Sequence, residues 1–399
     1  MTAESRATPA SAAGRTAWGI VLIATFAGAS VAMQIGKVGV AMPLLREEFA
    51  AGVLTASVYL SCISLLAALF GAMFGSFAFD VGVRRAGMAG LFLMAAASAI
   101  GAMAPGVVIL MTARIIEAVA LPLVVTAMPA IVQAATGRNM AAITFGIWAG
   151  WLPIGLAMGM VLGFFVLDDL GWRGFYLLCA LPPLLALILM LAVPRGLPRT
   201  LEVQKPKRRH LQGLDTPVLQ MALVYCMFSA SYLTFAGFLP SVAVDDFGFS
   251  ARNASMLAAW AALLIVPANV ATAFACSRGI GRRRLLGASL IGMALFGALF
   301  FNGGVPMQAR LAAGIAFALC AGMAPAIFWA SIPRLSESSG APSAVISGIF
   351  YQASGVGQLV GPVLAGLAVE MAGAWYAAAS APILSGLVVT LLLLHMNEA

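Results

Sequence analysis

The sequence predicts an all-α integral membrane protein: twelve transmembrane helices built as two six-helix bundles related as parallel repeats. Three observations predict it. Of the 399 residues, 62% are hydrophobic and only 9% charged, whereas a soluble domain is about a quarter charged. Apolar runs of about 20 residues recur from end to end, each able to cross a hydrocarbon core about 30 Å thick. The third is a set of short motifs from the first half that return in the second at nearly constant spacing.

The runs lack the alternating pattern of a barrel strand, and lipid tolerates only helices and closed barrels, so each run reads as a helix. The first spans 17–41 and stops before Pro43, since proline removes a backbone donor. The next five span 53–79, 85–103, 106–135, 140–167 and 174–193. A polar, proline- and arginine-rich stretch follows, and 194–215 reads as a linker. Six more helices span 216–239, 253–277, 284–301, 305–332, 343–370 and 375–395. The expected organisation is a tail 1–16, a bundle 17–193, the linker 194–215, a bundle 216–395 and a tail 396–399. The first tail is polar, with no apolar core or cleavage site, so it does not read as a cleaved signal.

The net charge of +8 does not indicate nucleic acid, because the basic residues sit in short loops between apolar runs. With twelve helices both termini and the linker share one side. Sixteen of the 22 Lys and Arg residues fall on that side, three on the other and three within helices. The positive-inside rule then places the termini and linker in the cytoplasm of a cell membrane. The five cysteines lie in apolar runs without metal-ligand spacing and read as small buried hydrophobes.

The repeat is specific in its details. Arg114 recurs as Arg310 and Pro129-Ala130-Ile131 as Pro325-Ala326-Ile327, both 196 residues later. Pro43 with Glu47-Glu48-Phe49 is echoed by Pro240 with Asp245-Asp246-Phe247. Gly146, Gly155 and Gly159 recur 202 residues on as Gly348, Gly357 and Gly361. Copies of equal orientation are the parallel repeats of transporters whose site lies between two halves near the bilayer midplane.

A short polar island, Gly75-Ser-Phe-Ala-Phe-Asp80-Val-Gly82-Val-Arg84-Arg85, separates the second and third helices. A reduced copy, Gly279-Ile280-Gly281-Arg282-Arg283-Arg284, puts Gly279 at the place of Asp80. Six plus six helices, a basic central linker and this island resemble the major facilitator superfamily across the whole chain. Its loop 2–3 signature reads Gly75, Asp80, Gly82, Arg84 and Arg85. Its helix-four signature reads Arg114, Glu117, Ala118, with alanine where the family has glycine. The helix-five signature of the antiporter branch departs here to Gly150-Trp151-Leu152-Pro153-Ile154-Gly155, which counts against drug/proton antiport. The stretches around Met128-Pro129 and Gly146-Ile147-Trp148 are similar to the cyanate-permease-like anion branch. The resemblance implies a gating role for Gly75, Asp80, Gly82, Arg84 and Arg85, with Asp80 latching the halves at the cytoplasmic face.

Ionisable residues within a span are costly, which makes each one a functional candidate. At a rise of 1.5 Å per residue, Arg114 lies about 12 Å and Glu117 about 16 Å deep, on one face. They read as a static pair or as a substrate and coupling site. Gln34 and Lys37 share a face of the first helix, where Lys37 either snorkels or faces a cavity. Arg310, near a boundary, reads as snorkelling. Lys37, Arg114 and Arg310 against Glu117 leave a surplus of +2 that favours an anion. Trp148, Trp151, Tyr232, Asn269, Trp329, Tyr351 and Gln352 complete a candidate semi-polar lining.

A histidine-based hydrolase or metal centre is excluded from the spans, because His210 and His395 lie in the linker and at the terminus. Gly355-x-Gly357 follows no strand and is no nucleotide fingerprint. Neither a catalytic residue, a metal site nor a cofactor is expected. The expected function is secondary active transport of a small organic or inorganic anion, proton-coupled, by alternating access. The alternatives are a proton-coupled drug or metabolite exporter and, from another class, a non-transporting membrane sensor or scaffold. The expected partners are the solute, protons and the lipid bilayer, with no nucleic acid and a monomeric chain.

Overall fold

The computed structural model describes residues 16–137, 140, 144, 147–148, 150–193, 215–339 and 343–395. Among them are thirteen α-helices. The first half carries α1 (Trp18–Glu48), α2 (Val53–Ser61), α3 (Leu65–Val81), α4 (Val83–Ala102), α5 (Val107–Ala135), α6 (Trp151–Cys179) and α7 (Leu181–Leu191). The second carries α8 (Thr216–Asp245), α9 (Ala251–Ser277), α10 (Arg282–Phe301), α11 (Met307–Ser339), α12 (Ser343–Ala372) and α13 (Ser380–His395). A 3-10 segment, Cys62–Ser64, joins α2 to α3 into one crossing, and another, Trp375–Ala379, leads into α13.

Among the described residues eleven stretches are long and apolar enough to cross a membrane, one of them the 41-residue Trp151–Leu191. At 1.5 Å per residue it would run about 60 Å, twice a hydrocarbon core. Gly171 divides it, with φ 61° and ψ −176°, a conformation open to glycine. The crossings are therefore twelve, six in each half.

Two helices outrun their expected ends. Both α1 and α8 pass through a proline, Pro43 and Pro240, and continue to Glu48 and Asp245. A proline's φ suits a helix, and the carbonyl four residues before it loses its partner. Those carbonyls belong to Gly39 and Ala236, which meet where the two helices cross. A Cβ on Gly39 would lie 3.4 Å from the Ala236 oxygen and from the Gly237 Cα. The tenth crossing likewise extends to Ser339. The fifth is continuous from Trp151; its expected start at 140 falls in a stretch mostly outside the described residues.

Within the first half α1 packs along α6, and within the second α8 packs along α12. The halves meet where α12 lies on α2 and α3, where α6 lies on α9, and where α1 crosses α8. Close approach needs small residues. A Cβ on Gly355 would come within 2.6 Å of the Ala68 nitrogen, and one on Gly366 within 2.7 Å of the Ser57 Cβ.

The repeat is structural as well as sequential. Gly82 (φ 97°) and Gly279 (φ 85°) make the same turn, so Gly279 answers Gly82 and not Asp80. Arg84 donates to the carbonyls of Met190, Leu191 and Val193 at the C-terminus of α7. Arg283 donates to the Leu393 carbonyl near the C-terminus of α13. Both arginines close the last turn of a helix, where orphan carbonyls and the helix dipole favour a cation.

Candidate functional site

The polar centre of the first half gathers around Glu117 on α5. Its Oε1 lies 2.5 Å from Lys37 Nζ and its Oε2 2.6 Å from an Arg114 terminal nitrogen. Lys37 and Arg114 are 0% exposed and Glu117 2%. Lys37 also donates to Ser98 Oγ at 2.8 Å, and Ser98 donates to the Tyr176 carbonyl at 2.8 Å. Arg114 donates to the carbonyls of Gln34 (2.8 Å), Tyr59 (3.1 Å) and Leu60 (3.0 Å). The Lys37 ammonium sits over the Tyr176 ring and the Arg114 guanidinium over the Tyr59 ring. The two tyrosine hydroxyls share a hydrogen bond of 3.1 Å. Gln34 donates to the Cys179 carbonyl, while its Oε1 is buried without a hydrogen-bond partner in the structure.

Gln34, Lys37, Arg114 and Glu117 come together in a network internal to the first half. Lys37 does not snorkel. It lies along α1 where a carboxylate, a hydroxyl and an aromatic face are all in reach, which removes the need to reach an interface. Arg310 does not snorkel either. It is 4% exposed, bonded to Asp246 at 2.7 Å and to the Phe300 carbonyl. Asp246 lies beyond Pro240, past the point where α8 was expected to end. Counting it lowers the positive surplus from +2 to +1.

The remaining candidates scatter. Trp148 and Trp151 stack at 5.7 Å and pack on α1 at Gly28, where a Cβ would meet the Trp148 ring. Tyr232 stacks on Phe228 at 5.9 Å and lines a small apolar cavity with Met160, Phe235 and Ala258. Asn269 is half-buried in α9. Tyr351 Oη is buried without a hydrogen-bond partner in the structure. The Gln352 amide donates to the Leu69 carbonyl across the halves. The side chains of Trp329 and Asp80, and the surroundings of Gly75, lie outside the described residues. Arg85 is exposed at the start of α4.

Several contacts between the halves escaped sequence reasoning. At the end opposite the linker, Arg46 pairs with Asp245 at 3.0 Å, and Glu370 accepts from the Leu54 amide at 2.8 Å in the first turn of α2. Arg252 stacks on Phe164 there. Midway down, Ser64 donates to Gln358 at 2.7 Å, Gln358 to Ser354, and Ser354 shares a hydrogen bond with Ser229. Asp245 also accepts from the Trp375 indole, as Glu48 accepts from Trp172. Only the Asp245 echo of the acidic pair hinted at any of these.

Residues 20–341 match the family pattern of the Major Facilitator Superfamily. The chain belongs to that superfamily. Its fold is similar to a D-xylose–proton symporter at 16% identity and a TM-score of 0.74, covering 94% of this chain and 97% of that one. It is also similar to a bacterial homologue of the human lysosomal transporter Spinster, solved inward-facing. The occupied form gives 15% identity, a TM-score of 0.70 and coverage of 95% and 94%. The unoccupied form gives 14%, 0.71, and 96% of both chains. No curated protein matches the chain. The protein is a multi-pass membrane transporter of the superfamily, a secondary transporter and not an enzyme.

Proposed function

We propose that this transporter moves a small organic or inorganic anion together with a proton, by alternating access at a site between its two halves. One observation carries the reading. Lys37 and Arg114 share the single carboxylate of Glu117 in a sealed apolar interior, so the cluster keeps one unbalanced positive charge. In a low dielectric that charge is felt beyond its contacts and favours an anion nearby. The termini and linker lie in the cytoplasm of a cell membrane on the strength of the basic loops, so the end sealed by Arg46 and Asp245 faces outward. The Gly75 to Arg85 hairpin acts as the cytoplasmic gate. Asp80→Asn is expected to insert but transport poorly; wild-type flux in it would remove the gate.

A second reading, export of a lipophilic drug or metabolite with Glu117 as proton carrier, is favoured by one observation. Tyr225, Phe228, Tyr232 and Phe328 form an aromatic shelf on α8 and α11. Uptake of labelled formate, acetate and nitrate into proteoliposomes, with and without a pH gradient, separates the two. Gradient-stimulated anion uptake is expected. Absence of any anion flux, with efflux of lipophilic cations lost in Glu117→Gln, overturns the anion reading.

A further inference from the structure

The cluster around Glu117 has three charged groups and only one proton that it can give up without stranding a charge. Arg114 keeps its proton, as arginine does throughout proteins. Adding a proton to Glu117 would leave two cations, 2.5 and 2.6 Å from the same carboxyl, with no anion between them. Removing one from Lys37 instead leaves Arg114 and Glu117 as a neutral pair, still bonded, with the Lys37 amine able to accept from a neighbour. The two charges open to the cluster without stranding an ion are therefore +1 and 0.

The surroundings of Lys37 are consistent with that exchange and supply no second carrier. Facing it are Glu117 and Arg114 from α5, the Ser98 hydroxyl from α4, and the Tyr176 ring and Cys179 from α6. The Tyr59 hydroxyl of α2 reaches it only through Tyr176. Glu117 is the one carboxylate of the group and is already held by both cations.

We propose that Lys37, and not Glu117, carries the coupling proton, and that a monovalent anion and one proton cross together as a neutral unit. The step is a proton transfer: the N–H bond of the ammonium breaks, its electron pair stays on Nζ, and the proton leaves to water. The charged cluster attracts the anion and the discharged cluster does not, so loading of proton and anion is mutual. This rests on the anion reading above.

The test begins with counterflow of labelled formate, acetate and nitrate in wild-type proteoliposomes. If none moves, the anion reading falls, and this inference with it. Given flux, a pH gradient should concentrate the anion, and a valinomycin–potassium potential should leave the initial rate unchanged. A potential-dependent rate overturns the neutral unit. Lys37→Arg keeps the charge but cannot release it, and Lys37→Met removes it. In Lys37→Arg, gradient-driven accumulation relative to counterflow should fall at least tenfold; in Lys37→Met accumulation and counterflow should both be lost. Accumulation kept by either folded variant overturns the assignment. Should both fail to fold, the chain has only three lysines, Lys37, Lys205 and Lys207. In the Lys205→Arg/Lys207→Arg protein the side-chain ¹⁵N signal of Lys37 stands alone. It should switch between ammonium and amine over the pH range in which uptake is coupled. A signal that stays ammonium while a Glu117 carboxyl resonance titrates overturns the proposal.

Discussion

Arg114 is held more firmly than a ligand-binding arginine needs to be. Its three carbonyl acceptors come from two helices, Gln34 on α1 and Tyr59 and Leu60 on α2. The last two lie four residues before Ile63 and Ser64, inside the 3-10 segment where the crossing departs from α geometry. A 3-10 turn does not form the i to i−4 bond, so the guanidinium serves backbone acceptors the helix leaves under-used. Lysine offers a point charge in place of a planar fork. Arg114→Lys should therefore destabilise the protein by about 3 kcal/mol or more, the scale of a broken buried pair. Thermal unfolding in detergent measures it, with Arg310→Lys as the milder comparison. A variant that melts with wild type but no longer takes up anions would make Arg114 a substrate ligand instead. Charges inside spans are rare enough that Lys37, Arg114 and Glu117 were readable from sequence. Ser98, Tyr59 and Tyr176 were not, because a serine or tyrosine in an apolar run looks like any other. Asp246 was hidden by the assumption that Pro240 ends its helix.

At the scale of the elements, the halves are joined by helix ends as well as by side-chain pairs. Glu370, near the C-terminus of α12, accepts from the amide of Leu54, the second helical residue of α2. The position before α2 is Gly52, which makes no side-chain cap, and a Cβ there would lie 3.0 Å from the Glu370 carboxylate. A carboxylate from one half thus caps a helix of the other. An anion at a helix N-terminus contributes about 0.3–1 kcal/mol. The exposed Arg46–Asp245 pair adds about 0–1 kcal/mol. Contacts this weak hold a state without trapping it, which suits the opening of this end that alternating access would require. Glu370→Gln should speed amide exchange in the first turn of α2 several-fold, most at Leu54, read by hydrogen–deuterium exchange mass spectrometry. Unchanged exchange at 53–56 would mean that the cap does not hold that end. The prolines show why this end was hard to read. Each adds a turn or more that carries Arg46, Glu48, Asp245 and Asp246 into position, and local rules place the helix stop before them.

At the scale of the whole molecule, twelve crossings and two copies were legible because hydrophobic length and repeat spacing are properties of the chain alone. How the halves sit on one another was not, since their closest helix approaches are made at glycine, serine and alanine, which carry no charge or size pattern. The closest approach offers the test of alternating access. Ser57 on α2 and Gly366 on α12 belong to different halves near the end away from the linker, and a Cβ at 366 would lie 2.7 Å from the Ser57 Cβ. Disulfide-bonded Cβ atoms stand about 3.5–4.5 Å apart, so a cysteine pair needs only a small separation of the two helices. Ser57→Cys/Gly366→Cys, in a background without the five native cysteines, should form a disulfide on oxidation. With a protease site inserted in the linker, the cut halves should then run together on a non-reducing gel. If transport needs this end to part, oxidation should stop anion counterflow and a reducing agent should restore it. Full counterflow in the cross-linked protein would mean that α2 and α12 stay together throughout the cycle, and that the halves rock about this contact instead of opening at it.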